Sequence, residues 1–204
     1  MGGSWPDRYS EWVIAGLAQT VQAWDGAVSS FGESVRFQPL TFVLLLASTW
    51  WVKWPLIAAV GWAGDCSRRR LTPRAAGAAL AAVGVAALLV TVLKAFFDRG
   101  RPPLANPTLD VVGSLPASAS FPSGHAATAF AAAVAVGMIH PRLRLPLLAL
   151  ATLVAVSRVY LGVHYATDVI VGSAIGALLG FAAGWTVRAA APAPTAPSPS
   201  RVPA

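Results

Sequence analysis

From Ala75 to Leu93 the chain passes nineteen residues without a charge. A helix rises about 1.5 Å per residue, so the run matches a bilayer core of about 30 Å. Further apolar runs extend from about His125 to Ile139, about Leu145 to Val156 and about Tyr165 to Val187. A run from about Leu40 to Gly64 carries Lys53 and Pro55 among Trp50, Trp51, Trp54 and Trp62, read as interface anchors on one span with a kinked or re-entrant entry. With 56% hydrophobic and 11% charged residues in 204, the chain is too apolar for a water-soluble surface. The expected fold is all-α: a polytopic membrane helical bundle of about five transmembrane helices.

The runs near His125 and Leu145 are short for a span of about twenty residues, so their ends must recruit flanking polar positions. Ahead of the spans, Val13, Leu17, Val21, Trp24, Val28 and Phe31 recur at spacings of three and four, with Glu11, Gln22, Asp25 and Glu33 between them. This pattern predicts an amphipathic helix lying in the interface, since a sixth span would put Glu11, Asp25 and Glu33 into lipid at a cost of several kcal/mol. The first spanning helix is expected to serve as the targeting signal, since the N-terminus lacks the pattern of a cleaved signal peptide. Residues 1–37 then form an N-terminal interfacial region, 38–188 the membrane-embedded domain, and 189–204 a Pro/Ala-rich tail expected to be disordered.

The net charge of +7 does not indicate a nucleic-acid binder. Arg68, Arg69, Arg70 and Arg74 lie between two apolar runs, and Arg142 and Arg144 between another two, which is the positive-inside pattern of cytoplasmic loops. Alternation of spans from those loops brings Lys94 to Phe121, the start of the run at His125, and Ser157 to Asp168 to the opposite face. Three polar stretches distant in sequence therefore share one side of the membrane.

Their residue types suit an oxyanion. Lys94, Arg101 and Arg158 would surround it with fixed positive charge. Ser123 is placed as a helix N-cap and Gly124 leaves the backbone open to a ligand at a helix start, where free N–H groups favour phosphate. His164 and Asp168 stand four apart on one helical face, so the carboxylate can orient the ring and leave its other nitrogen free as a nucleophile. His125 is a second imidazole suited to protonating a leaving oxygen. With no carboxylate cluster in the sequence, no metal and no cofactor is expected. Each part alone has a structural alternative: snorkelling charges at helix ends, a capped helix start, a hydrogen-bonded pair. Asp98 and Arg99 read as loop charges, Asp110 as an outer-loop charge without a partner, and His140 as a solvated helix end.

Lys94, six residues, Arg101-Pro102; Pro122-Ser123-Gly124-His125; and Ser157-Arg158, five residues, His164, three residues, Asp168 together resemble the three-part signature of the type 2 phosphatidic acid phosphatase superfamily in order and spacing. The resemblance implies a metal-independent phosphatase of lipid phosphates working through a phosphohistidine. Carried over by position, His164 is the nucleophile, Asp168 its orienting partner and His125 the general acid. Lys94, Arg101, Ser123, Gly124 and Arg158 hold the phosphate. Phosphatidate, phosphatidylglycerol phosphate, undecaprenyl or other polyprenyl diphosphates and prenyl-linked sugar phosphates are the candidate substrates.

The expected setting is the plasma membrane, with the site on the extracytoplasmic side, lipids as the surroundings, and neither nucleic acid nor an obligate protein as partner. The superfamily's soluble haloperoxidase branch does not suit these apolar runs. Two other functions fit the same residues: a phosphotransferase passing the group from His164 to an acceptor other than water, and a lipid-binding protein without turnover.

Overall fold

The computed structural model describes residues 5–48 and 73–190. All regular structure within them is helical: α1 Trp5–Ser34, α2 Gln38–Ser48, α3 Pro73–Phe97, the single-turn α4 Pro102–Ala105, α5 Gly124–Ile139, a 3₁₀ turn Pro141–Leu143 leading into α6 Arg144–Tyr160, and α7 Ala166–Ala189. Segments Ala76–Ala105, Pro141–Tyr160 and Ala166–Ala189 are each long and apolar enough to cross a membrane. Two further expected spans are α5, at 16 residues, and the run that opens with α2. The remainder of that run with its four tryptophans, together with Cys66 and Arg68 to Arg70, lies outside the described residues. So does the expected tail, except that α7 continues through Ala189, two residues past the expected helix end.

Central to the bundle is α5, whose Ala126, Ala127, Ala129, Ala131, Ala132 and Ala133 are all buried. A helix apolar on every side belongs inside a bundle, and alanine lets neighbours approach its backbone. The neighbour that comes closest is α7. Gly172, Gly176, Gly180 and Gly184 recur every four residues along it, forming one stripe. A Cβ at Gly172 would stand 2.5 Å from the carbonyl oxygen of Ser123, and one at Gly180 equally close to that of Ala131. At Gly176 it would overlap the carbonyl of Ala127. The Gly-rich stretch, which in sequence permits packing within or between chains, is thus used within this one. Outward-facing Leu80, Leu88, Leu145, Leu178 and Phe181 form the apolar surface that a bilayer would cover.

The amphipathic α1 carries an inverted pattern. Its apolar stripe is the exposed one, with Leu17 at 62% and Phe31 at 66%, whereas Asp25 is at 0% and Ser29 is also buried. The polar face is turned to the protein because it finds partners there: Arg99 and Thr167 for Asp25, and the Asp110 amide for Glu33. Protein groups thus replace water around Asp25 and Glu33, whereas Glu11 stays exposed. Arg36 extends the junction, donating from Nε to the Tyr160 carbonyl at 2.9 Å and from a terminal nitrogen to that of Asp110 at 3.0 Å. The Tyr160 hydroxyl meets Thr41 Oγ1 at 3.0 Å and so fastens α2 to α6.

Candidate active site

The C-terminal ends of α3 and α6 and the N-terminal ends of α5 and α7 meet at one end of the bundle. Between α6 and α7, the turn Leu161 to Tyr165 is drawn back onto its own helix, because the amides of Val163 and His164 both donate to the Arg158 carbonyl, at 3.2 and 3.3 Å. Gly162 allows this with φ at +75°, and a Cβ there would meet the Asp110 carbonyl oxygen at 2.7 Å. The turn delivers His164 to the interior, 3% exposed, with Nδ1 at 3.4 Å from Asp168 Oδ2 and Nε2 at 3.5 Å from an Arg101 guanidinium nitrogen. Asp168 lies in the first turn of α7, where its Oδ2 accepts the Tyr165 amide at 3.0 Å and the Ser120 hydroxyl. A carboxylate fixed at a helix start faces the positive end of the helix dipole. With Nδ1 turned to that carboxylate, the ring presents Nε2 toward the arginine.

Burial holds the His164 ring well below its usual range, at about pKa 4. The charges of Arg101 and Arg158 push the same way, against the opposing pull of Asp168. The imidazole is therefore neutral at pH 7, with an unprotonated nitrogen to offer.

α3 ends at Phe97, so Lys94 and Arg101 are not on one helix; Asp98 at φ +38° and the following turn carry the chain to Arg101 at the start of α4. The two cations nevertheless converge on the loop before α5. Lys94 donates to the Ala119 carbonyl. Arg101 donates from Nε to the Ser118 carbonyl at 2.9 Å and from a terminal nitrogen to that of Val163 at 2.6 Å. Ser123 is the N-cap residue of α5 by backbone, but its hydroxyl makes no capping bond, contrary to the cap expected of it. That Oγ and the Nε of Arg158 are both buried without a hydrogen-bond partner in the protein. Unpaired buried polar atoms are costly, so both would be satisfied by the acceptor oxygens of a ligand.

Beside them opens a cavity of about 570 Å³ lined by Lys94, Ser118, Gly124, His125 and Thr128, continuing along α3 past Thr91 and Val90 to Ala87. An added Cβ at Gly124 would touch only Val90, at an ordinary 3.5 Å, so packing alone does not require glycine there. Lys94, Gly124 and His125 thus line the cavity. Arg101, Ser123, Arg158, His164 and Asp168 do not line it; all five are buried, with Arg101 bonded to the Ser118 carbonyl of its wall and 3.5 Å from His164.

The PAP2 superfamily model matches residues 75–191, which is more than half of the chain and contains all eight of these residues. The chain belongs to the PAP2 superfamily. Decaprenylphosphoryl-5-phosphoribose phosphatase of Mycobacterium tuberculosis is 38% identical to it over 129 residues, 63% of this chain and 68% of the relative. Among solved structures, the PAP2-type phosphatidylglycerolphosphate phosphatase of Bacillus subtilis superposes with a TM-score of 0.69 at 26% identity, covering 90% of this chain and 95% of the other. LpxE of Aquifex aeolicus does so with a TM-score of 0.63 at 25% identity, covering 77% and 92%. This PAP2 protein is accordingly a membrane enzyme, a hydrolase acting on phosphoric esters of lipids.

Not every charge of this PAP2 protein stands where its sequence suggests. Arg99 is no loop charge: it bridges Asp25 at 2.8 Å and Asp168 at 2.6 Å and lies over the Tyr165 ring at 4.0 Å. Asp110 is held through its backbone, its amide donating to Glu33 and its carbonyl accepting from Arg36. His140 does end α5, half-buried, with its Nε2 enclosed and without a partner. Ser120, whose hydroxyl binds Asp168, gave no periodic or motif signal. For Asp25 a signal did exist, since Asp25, Ser29 and Gly32 mark a small, polar stripe at spacings of four and three, the kind that packs closely.

Proposed function

We propose that this enzyme hydrolyses the phosphomonoester of a lipid-anchored phosphate through a phosphohistidine on His164, without a metal. The observation that carries the reading is the neutral, buried His164 ring held between Asp168 and Arg101, with the unpaired donors of Ser123 and Arg158 in the same buried shell. His164 Nε2 attacks phosphorus and the bond from phosphorus to the lipid oxygen breaks. His125 gives that oxygen its proton. Water then attacks the phosphohistidine, His125 takes a proton back, and inorganic phosphate leaves. Lys94, Arg101 and Arg158, with Ser123 Oγ and the Gly124 amide, stabilise the charge on the transferring group. Among the described residues no three His, Cys, Asp or Glu side chains are grouped to hold a metal, and here the cations take the role that a metal would fill.

The groove along Val90 and Ala87 favours a substrate with a hydrocarbon chain. It descends from Lys94 by about 10 Å, two helical turns, between apolar surfaces. The relatives' substrates, a decaprenyl-linked phosphoribose and phosphatidylglycerol phosphate, both join a phosphate to a lipid through a polar group. Arg142, Arg144 and Arg188 lie at the opposite end of the bundle from His164, so the positive-inside rule favours a site on the extracytoplasmic face of the plasma membrane.

The test is phosphate release by the purified protein in detergent and EDTA, using phosphatidate, phosphatidylglycerol phosphate, undecaprenyl diphosphate and a polyprenylphosphoryl pentose phosphate, with His164→Ala as control. Release dependent on His164, insensitive to EDTA and blocked by orthovanadate is expected. A phosphorylated acceptor in place of free phosphate would identify a transferase. Activity lost in EDTA and restored by Mg²⁺ would overturn the metal-free mechanism.

A further inference from the structure

Asp25 is fully buried, and the reaction above makes no use of it. Its Oδ1 accepts the Thr167 amide at 3.0 Å, and its Oδ2 accepts the Thr167 hydroxyl at 2.5 Å and one arm of Arg99 at 2.8 Å. The other arm of Arg99 donates to Asp168 Oδ1 at 2.6 Å and to Thr167 Oγ1 at 2.8 Å. Arg99 is thereby divided between two carboxylates, one on α1 and one on α7.

The division matters because a guanidinium favours a two-pronged grip on a single carboxylate. Held by Asp25, Arg99 reaches Asp168 through Oδ1 alone. Oδ2 is left to Ser120, to the Tyr165 amide and to His164. Released from Asp25, Arg99 would be free to take both oxygens of Asp168 and compete with the ring for Oδ2. Charge points the same way. Asp25, Arg99 and Asp168 together carry one net negative charge, which suits a ring that becomes cationic when it takes the phosphoryl group; without Asp25 the sum is zero.

We propose that Asp25 is a positioning residue of the active site, acting through Arg99 to keep Asp168 oriented toward His164. The proposal rests on His164 and Asp168 having the roles given above. It makes α1 part of the site, although α1 lies outside the segment matched by the superfamily model.

A mutant cycle tests it on the full chain in detergent, with orthovanadate affinity as the readout, so that no lipid need be identified first. Vanadate needs an aligned, unprotonated ring nitrogen, and thermal melts report folding separately. Asp25→Asn is expected to weaken vanadate binding about tenfold in the wild-type background and to have no further effect in Asp168→Asn, because groups in one network are not additive. The same factor in both backgrounds, or no weakening, would mean that Asp25 only fastens α1 and would overturn the proposal. An Asp168→Asn protein that binds vanadate like the wild type would overturn the roles beneath it as well, and is thereby distinguished. Should Asp25→Asn fail to fold, Thr167→Val takes its place in the cycle, removing the hydroxyl between Arg99 and Asp25 while leaving both carboxylates.

Discussion

Replacing Gly172 by alanine adds one methyl group where α7 touches the start of α5. Its Cβ would lie 2.5 Å from the Ser123 carbonyl oxygen and 3.3 Å from that residue's carbonyl carbon and amide nitrogen. Carbon and oxygen in contact stay about 3.3 Å apart, so the Ser123 peptide must retreat by roughly 0.8 Å. Ser123 also donates its own N–H to the Asp168 carbonyl at 2.9 Å, and the residues following it are Gly124 and His125. Overpacking of this kind costs about 1–3 kcal/mol, offset by about 1 kcal/mol that alanine gains over glycine in a helix. The net loss of stability should be modest. Turnover should suffer far more, by a factor on the order of 100, because shifts of about 1 Å disrupt a reacting geometry. Melting temperature and phosphate release, measured together in detergent, separate the two effects. Gly84→Ala is the reference: its Cβ would meet nothing within 4 Å, so turnover should hold and stability stay level or rise by about 0.4–1 kcal/mol. Wild-type turnover in Gly172→Ala, or equal damage from Gly84→Ala, would refute the close-packing argument.

Ser123→Ala removes a buried hydroxyl that has no partner in the protein, so melting should be unchanged or higher while turnover falls at least about tenfold, a loss that kinetics on any accepted lipid would reveal. Arg101→Lys cannot reproduce a fork that reaches the Ser118 and Val163 carbonyls together, and should lower both turnover and melting temperature although the charge is kept. The folded pKa of His164, about 4, lies below its ordinary 6.5, so the unfolded chain binds the additional proton between those values. The stability from this group is full above pH 6.5 and falls by about 3 kcal/mol by pH 4. Melts from pH 7 to pH 4 should show the loss in the wild type and a shallower one in His164→Gln, and kcat/KM should decline as pH falls through about 4.

Much of the site was legible because its chemistry recurs at short spacings. His164 and Asp168 sit four apart, Ser123 and His125 two apart, and apolar run lengths with arginine loops bring those stretches to one end of the bundle. The helices were legible for the same reason: a chain in lipid must satisfy its backbone within each segment, so hydropathy alone reveals the spans. What spacing cannot show is which distant groups meet. Ser120 reads as an ordinary loop serine until the fold puts it against Asp168, and Arg99 as a loop charge until α1 supplies Asp25. The sense in which α1 faces the bundle was hidden too, because an apolar stripe seeks the protein in water but is equally satisfied by lipid, leaving buried polar partners to decide.

From the residues alone one reads an all-helical membrane chain, the end of the bundle where the polar stretches gather, and the residue types that would bind and attack a phosphate, since these follow from local periodicity and charge. The tertiary structure adds that the glycine stripe of α7 packs on α5, that Ser123 and Arg158 hold donors unpaired within the protein, and that Asp25 of α1 shares Arg99 with Asp168. Those are contacts between segments far apart in the chain, set by shape and by the need to pair buried charge, and neither is written in any short stretch of residues.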